Sequence, residues 1–492
     1  MSLLLQLPAL QVVVPLISAP VAVLVRHGGA AFAIVTAAAW AAFATAVALW
    51  MQTADGQVIS YAMGSWPPPW GIEYRVDRLS SFVLLLVSAM AAVILPYSRA
   101  SIMHEVPREQ HYLFYAMFGL CLAGLLGITI TGDAFNIFVF LEISSLSSYV
   151  LIALGRDRRA LMASFQYLLM GTIGATFIVI GVGLLYIMTG TLNLADMAAR
   201  LPLVQSSRPV LAALAFLTVG ISLKLALFPL HAWLPNAYTY APSAVSAFLA
   251  ATATKVSVYL LVRFYFSVFA ESFIFDELPI ARIMLVLSLA AIFVASAMAI
   301  LQEDLKRLFA YSSVAQIGYI TLGLSFDSAT GLTATLVHLF NHAVTKGAVF
   351  LLIGGAVAVI GRGTGFGNFA GVGRTMPLTS FGIVIAGLSL IGVPGTAGFV
   401  SKWYLVLAAL EQGQWWLVLA IVGSSLLALA YVWRFVEMAY FRAPRAPRQR
   451  EAPLSLLVPA WAMVAAVVYF GLETSFTVGS ASAAADMLLG RR

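Results

Sequence analysis

ISLKLALFPLHAWLPNAYTYAPSAVSAFLAATATK, residues 221–255, sets a lysine inside one apolar segment, interrupts that segment at Pro229, and sets a second lysine inside the next. An isolated lysine at mid-bilayer costs about 2.5 to 3.5 kcal/mol on insertion scales, and Lys224 lies too far from either end of its segment to reach the interface comfortably. Two such lysines, Lys224 and Lys255, require a reason.

Five lysines occur in the chain, Lys224, Lys255, Lys306, Lys346 and Lys402, and on the sequence all except Lys306 fall inside apolar segments, while arginine serves the polar loops. Arginine keeps its proton at any attainable pH, whereas a buried lysine can approach neutrality and release one. The interior cations are therefore the kind that can switch.

Composition places these segments in a membrane. Apolar residues make up 62% of the 492, charged residues 10%, and mean hydropathy is +0.96, far outside the range of soluble domains. The net charge of +7 is carried by arginines in short loops, so it reads as topology and excludes a nucleic-acid surface. Cys121 is alone in an apolar run, which excludes disulfides, a thiolate zinc site and an iron–sulfur cluster held by this chain; any redox centre would belong to a partner. The stretch from Ser2 to Val25 lacks a basic leader and is read as a retained first span.

Counting apolar stretches predicts an all-α polytopic membrane protein of about fourteen transmembrane helices. A loop containing Trp66, Pro67, Pro68, Pro69 and Trp70 suits the interface. The fifth span follows Asp133, an expected N-cap, and carries Glu142 near its midpoint. The seventh carries Lys224 and breaks at Pro229 and Pro235; the eighth, Pro242 to about Phe266, carries Lys255. The eleventh contains His338, His342 and Lys346, and the twelfth breaks at Gly392, Val393, Pro394 and Gly395 with Lys402 beyond. If every odd-numbered span is followed by a cytoplasmic loop, the cytoplasmic side holds more loop cations, and both termini are external. The arginine-rich loop Arg442, Arg445, Arg448, Arg450 then falls inside. The Gly-rich GRGTGFGNFAGVG after Ile360 is a loop, since no strand precedes it as nucleotide binding would require.

Glu142 must be paired, protonated or hydrated; it is either a structural acid bonded by the neighbouring serines or a proton acceptor with a lysine partner. Lys224 and Lys255 either stitch helices through salt bridges or sit in a hydrated pocket, which the break at Pro229 favours by leaving carbonyls free. His338, His342 and Lys346 recur every four residues and share one helix face, a spacing suited to a water-linked relay. Haem ligation is disfavoured, because both histidines lie on one face of one helix. Glu437 with Arg434 is a further pair or a surface ion pair. The long, broken seventh and twelfth spans, with SSLSSYVLIALG after Glu142 echoing SSVAQIGYITLG from Ser312, hint at an internal repeat.

The order of Glu142, LKLALFPLHAWLPNAY around Lys224, Lys255, HLFNHAVTKGAVFLL and GVPGTAGFVSKWYL resembles the proton-conducting antiporter-like family. That family comprises large membrane subunits of respiratory complex I, of membrane-bound hydrogenases and of Mrp-type sodium/proton antiporters. Within it, TGDAFNIFVFLEISSLSSYVLIALG and the terminus soon after the fourteenth span look most like the D-type branch of the Mrp antiporter subunits. Lys402 argues against the complex I subunit bearing glutamate there, and the absence of a long lateral helix after the fourteenth span argues against the largest; the third complex I subunit and the hydrogenase subunits stay open. The resemblance implies fourteen helices with two inverted five-helix repeats, each with a Pro-broken helix. It divides the chain into residues 1–110, 111–270, 271–442 and 443–492: three N-terminal helices, the two repeats, and the last helix with its tail. It further implies a proton path through Glu142, Lys224, Lys255, His338, His342, Lys346 and Lys402, with breaks at Pro229 and Pro394. The expected setting is a hetero-oligomer in a bacterial cell (inner) membrane, exchanging H+ and Na+, with other membrane subunits and the lipid bilayer as partners. No cofactor and no enzymatic role of its own are expected. The alternative is a proton-pumping subunit of a redox complex.

Overall fold

A computed structural model describes residues 3–361, 363–444 and 450–491, so Arg445 and Arg448 of the arginine-rich loop lie outside the described residues. Backbone polar groups have no water to bond in a bilayer core, and these apolar stretches accordingly form helices. In chain order they are α1 (Leu7–Val25), α2 (Gly28–Thr53), α3 (Arg78–Glu105), α4 (His111–Ile130), α5 (Ala134–Ala153), α6 (Arg159–Thr189) and the short α7 (Leu194–Arg200). Next come α8 (Arg208–Leu225), α9 (Trp233–Tyr240), α10 (Ser243–Ala251), α11 (Ala253–Val262), α12 (Glu271–Phe275), α13 (Ile280–Ile300), α14 (Leu305–Ser325) and α15 (Ala329–Ile360). The chain continues through α16 (Val372–Thr375), α17 (Pro377–Ile391), α18 (Ala397–Glu411), α19 (Trp415–Val436), α20 (Leu454–Leu472) and α21 (Ser475–Leu488).

Twelve helical segments among the described residues are long and apolar enough to cross a membrane. The other two expected spans are α14 and the pair α17–α18. Helix α14 is buried on nearly all sides, and a helix that faces protein need not be apolar enough to face lipid. Helices α17 and α18 are 15 residues each, too short to cross singly.

Side-chain caps start several helices. Asp77 accepts from Ser80 N at 2.9 Å in a capping box, and Asp133 accepts from Asn136 N at 2.7 Å, the N-cap that its position predicts. The Trp-containing loop holds a hairpin not anticipated from the sequence, β1 (Ile59–Ala62) paired antiparallel with β2 (Glu73–Val76). Its Glu73 accepts from Gly132 N at 2.8 Å and from Asn193 Nδ2 at 2.7 Å, tying together the ends of α4, α5 and α7. The Gly-rich segment after α15 contains a helical turn and α16, and the chain bends by 112° into α17.

The first break differs from expectation. Helix α8 stops at Leu225, where Ala226 turns left-handed at φ 60°, three residues before Pro229. Pro235 breaks nothing, because it lies in the first turn of α9, where a missing N–H is tolerated. Nor are the end carbonyls free: Ser222 O accepts from Leu227 N at 3.0 Å and Leu223 O from the Trp233 indole at 2.9 Å. The break around Pro394 is where the sequence places it, between Gly392 at φ 91° and α18.

A further break falls at Thr252 (φ −126°, ψ −57°), between α10 and α11 in what the sequence presents as one continuous span. Thr252 carries no proline or glycine signal; its hydroxyl donates back to Phe248 O at 2.6 Å, a bond that competes with the helix ladder.

Candidate functional site

All five lysines are buried, Lys306 included, so its separate treatment as a loop cation is corrected by the fold. Each finds oxygen acceptors at a helix end or on a neighbouring helix, as a buried ammonium must.

At the end of α8, Lys224 Nζ donates to Ser145 Oγ at 2.7 Å. Glu142, one turn earlier on α5, lies within electrostatic reach of that lysine, yet no ion pair within 4.0 Å joins them among the described residues. The carboxylate stands half-buried beside exposed Val139 and Leu146, with Oε1 enclosed and without a hydrogen-bond partner among the described residues. The hydrogen bond of the lysine thus goes to Ser145 and not to the carboxylate, with which it interacts through charge. A cavity of about 30 Å³, lined by Ser144, Ser145, Ser148, Tyr167, Lys224 and Ser257, opens from the lysine toward α11. Its volume and hydroxyls suit a water molecule.

Across the Thr252 break, Lys255 Nζ donates to Ala250 O at 2.5 Å and Thr254 Oγ1 at 3.3 Å. The lysine takes a carbonyl at the C-terminal end of α10, where the helix dipole favours a cation. It lies within electrostatic reach of His338, His342 and Lys346, so the fold gathers the eleventh span's stripe around it.

Those three side chains are fully buried on α15. His338 Nε2 meets Gln316 Oε1 at 2.9 Å and Nδ1 meets Ser401 Oγ at 2.8 Å. An oxygen acceptor on Gln316 requires the hydrogen on Nε2, which leaves Nδ1 to gain or lose a proton against a hydroxyl that serves either way. His342 stacks on His338 with ring centroids 6.1 Å apart, and neither of its nitrogens has a partner among the described residues. Lys346 donates to Phe309 O at 2.7 Å and to Ser312 Oγ.

Lys402 reaches back across the break: Nζ donates to Leu390 O at 3.1 Å, Ile391 O at 2.9 Å and Ser425 Oγ at 2.9 Å, and lies 4.6 Å from the Tyr319 ring centre. It therefore holds the C-terminal carbonyls of α17. His338 is the stripe residue within electrostatic reach of Lys402. Lys346 points instead along α14, so the stripe branches rather than running in sequence order.

The suggested Glu437–Arg434 pair does not form. Glu437 pairs with exposed Arg442 at 2.8 Å, while Arg434 donates to Gln302 O at 2.6 Å and to Ile300 O. Among the described residues no group of three His, Cys, Asp or Glu side chains is placed to hold a metal ion. Sequence reasoning read the serines after Glu142 as partners for the acid and overlooked Gln316, Ser401 and Ser425. The echo of SSLSSYVLIALG in SSVAQIGYITLG was the available signal: the first segment supplies Ser145 to Lys224 and the second Ser312 to Lys346.

Residues 131–428, more than half of the chain and nearly all of these groups, match the family described as NADH:quinone oxidoreductase/Mrp antiporter, transmembrane. The chain belongs to this family. Among its relatives is NADH-quinone oxidoreductase subunit N of Desulforudis audaxviator, 44% identical over 483 residues and 95% of each chain. The D-type subunit of the Na(+)/H(+) antiporter of Bacillus subtilis is 28% identical, covering 98% of this chain and 96% of its own. A chain of the Mrp complex from Dietzia sp. DQ12-45-1b superposes with a TM-score of 0.90 at 26% identity, over 99% of this chain and 98% of that one. A chain of the membrane-bound sulfane sulfur reductase, an archaeal respiratory membrane complex, superposes at 0.89 with 28% identity over 98% of each. Both superpositions extend over nearly the whole chain, and both of the solved chains are subunits of multisubunit membrane complexes.

Proposed function

We propose that this chain is the proton-translocating subunit of a multisubunit cation/proton (Na+/H+) antiporter in a bacterial cell membrane, assembled with other membrane subunits. The observation that carries the reading is the set of switchable groups gathered inside the helices: Glu142 within electrostatic reach of Lys224, Lys255 beside the His338, His342, Lys346 stripe, and His338 leading to Lys402. Protons pass along them, with water joining the gaps. Two unit charges about 10 Å apart at an effective dielectric of about 20 interact by about 1.7 kcal/mol, more than a tenfold change in proton affinity. Protonation of Glu142 removes the charge that helps hold a proton on Lys224; the proton moves on, and each arrival displaces the next. The four-part division at residues 110, 270 and 442 belongs to this reading, with the halves meeting near Lys255.

A second reading, the pump of a redox complex, is favoured by the 44% relative named as an NADH-quinone oxidoreductase subunit. Both readings use the same path and differ in the drive. Vesicles holding the assembled complex test the path: Glu142→Gln and Lys224→Ala assemble and conduct no protons, and wild-type flux in either overturns it. Visible absorption and co-purifying masses test the host. Small hydrophobic partners with sodium-dependent flux support the antiporter, whereas flavin or iron–sulfur bands with large soluble partners support the redox complex.

A further inference from the structure

Lys306 is the lysine that the path does not use. It lies at the start of α14, buried, with Nζ donating to Ala241 O at 3.1 Å and standing 3.9 Å from Glu105 Oε1. That separation exceeds a hydrogen bond. Glu105 accepts from Ser243 N at 2.9 Å, Ser243 Oγ at 2.7 Å and Ser101 Oγ at 2.7 Å, so acid and base bracket the turn between α9 and α10. Both line a cavity of about 640 Å³ on the face of the odd-numbered loops, with Asp157, Arg159, Asp304 and Thr239 among its walls. Inward along α14, three and six residues beyond Lys306, Phe309 O and Ser312 Oγ hold Lys346. Successive turns of one helix thus run from the floor of an open polar cavity to a lysine of the mid-membrane stripe.

We propose that this cavity is a mouth of the proton path, with Glu105 and Lys306 passing protons between water on the odd-loop face and Lys346. A lysine kept solely to fasten helices would serve equally as arginine, the cation used almost everywhere else on this face; burying a lysine here keeps a group that can let its proton go. The branch of the stripe toward α14 then has a destination, and His342 becomes the junction between it and His338, which leads to Lys402.

The inference rests on the proton-translocating reading, and the test separates the two. In vesicles of the assembled complex, driven by a sodium gradient or by its electron donor, Lys306→Arg keeps the ion pair and cannot release a proton. We expect it to assemble and to slow proton flux about a hundredfold, as loss of a positioned proton-transfer group does. Wild-type flux in Lys306→Arg means a fastener and overturns the inference. Independently of folding effects, Gly363→Cys places a thiol at the cavity wall where an added Cβ meets no atom within 4 Å, and Gly479→Cys does the same away from the cavity. A charged, membrane-impermeant thiol reagent should block flux in the first and leave it in the second; unblocked flux in labelled Gly363→Cys also overturns the inference. Wild-type vesicles that conduct no protons would instead remove the underlying reading.

Discussion

The ammonium of Lys224 lies 2.7 Å from the hydroxyl of Ser145, one turn beyond Glu142 on α5, so the base is hydrogen-bonded to a serine neighbouring the acid and not to the acid itself. A hydrogen bond to a charged group contributes about 1.5 to 3 kcal/mol. Ser145→Ala withdraws that bond from the protonated lysine and leaves both charges in place. Proton flux in vesicles should fall about tenfold, between wild type and the inactive Lys224→Ala. Equal flux in Ser145→Ala and wild type would show that the hydroxyl takes no part.

The two histidines of α15 should separate by experiment. His338 makes two side-chain hydrogen bonds, to Gln316 and Ser401, and His342 makes none with the described residues. At about 1 kcal/mol per bond, His338→Ala should lower the thermal stability of the purified complex more than His342→Ala. Both should reduce flux, because His342 lies within reach of Lys255 and Lys346. A His342→Ala complex with unchanged flux would remove it from the path.

Around the second break the backbone leaves no room. A Cβ on Gly398 would stand 1.8 Å from Ser389 O, a backbone atom that cannot swing aside, whereas one on Gly423 meets nothing within 4 Å. Overpacking costs about 1 to 3 kcal/mol and more where backbone must shift. Gly398→Ala should therefore reduce the assembled complex recovered from membranes and displace the Lys402 cradle, while Gly423→Ala should match wild type. Comparable yields of the two would contradict the packing.

Outside the membrane, burial pushes the Asp327 carboxyl up from 3.8 to about 7, and the charges of Glu271 and Asp276 push the same way against Arg491. An acid whose folded pKa is raised binds more protons folded than unfolded between those values, so its contribution to stability falls as pH rises from about 4 to about 7. Amide exchange in residues 326–328 and 271–276 should be faster at pH 8 than at pH 6 after correction for intrinsic rates. Asp327→Asn should flatten that difference.

Much of this was legible in the chain. Hydropathy delivered the helical class and the spans, since in a bilayer apolar length is itself the requirement for crossing. The cost of an intramembrane charge singles out Glu142, Lys224, Lys255, the His338, His342, Lys346 stripe and Lys402 in the sequence itself. The break at Pro394 followed from glycines that reach φ 91° and 84°. The break at Thr252 did not, because it arises where a threonine hydroxyl and the Lys255 ammonium take helix carbonyls, and either residue also sits in unbroken helices.

What the sequence determined by itself is which side chains need partners: a charge in an apolar segment cannot stand alone, and the number and order of such charges along the chain are visible without a fold. Which partners they have was decided by tertiary structure. Ser145 belongs to Lys224, Gln316 and Ser401 to His338, and the Leu390 and Ile391 carbonyls to Lys402. Lys306, which sits among loop charges in the sequence, is buried where the α9–α10 turn at Ala241 and the end of α3 at Glu105 meet the start of α14. Hydrogen bonds form across a few ångströms between helices far apart in the chain, and hydropathy, a property of single segments, carries no record of which segments meet.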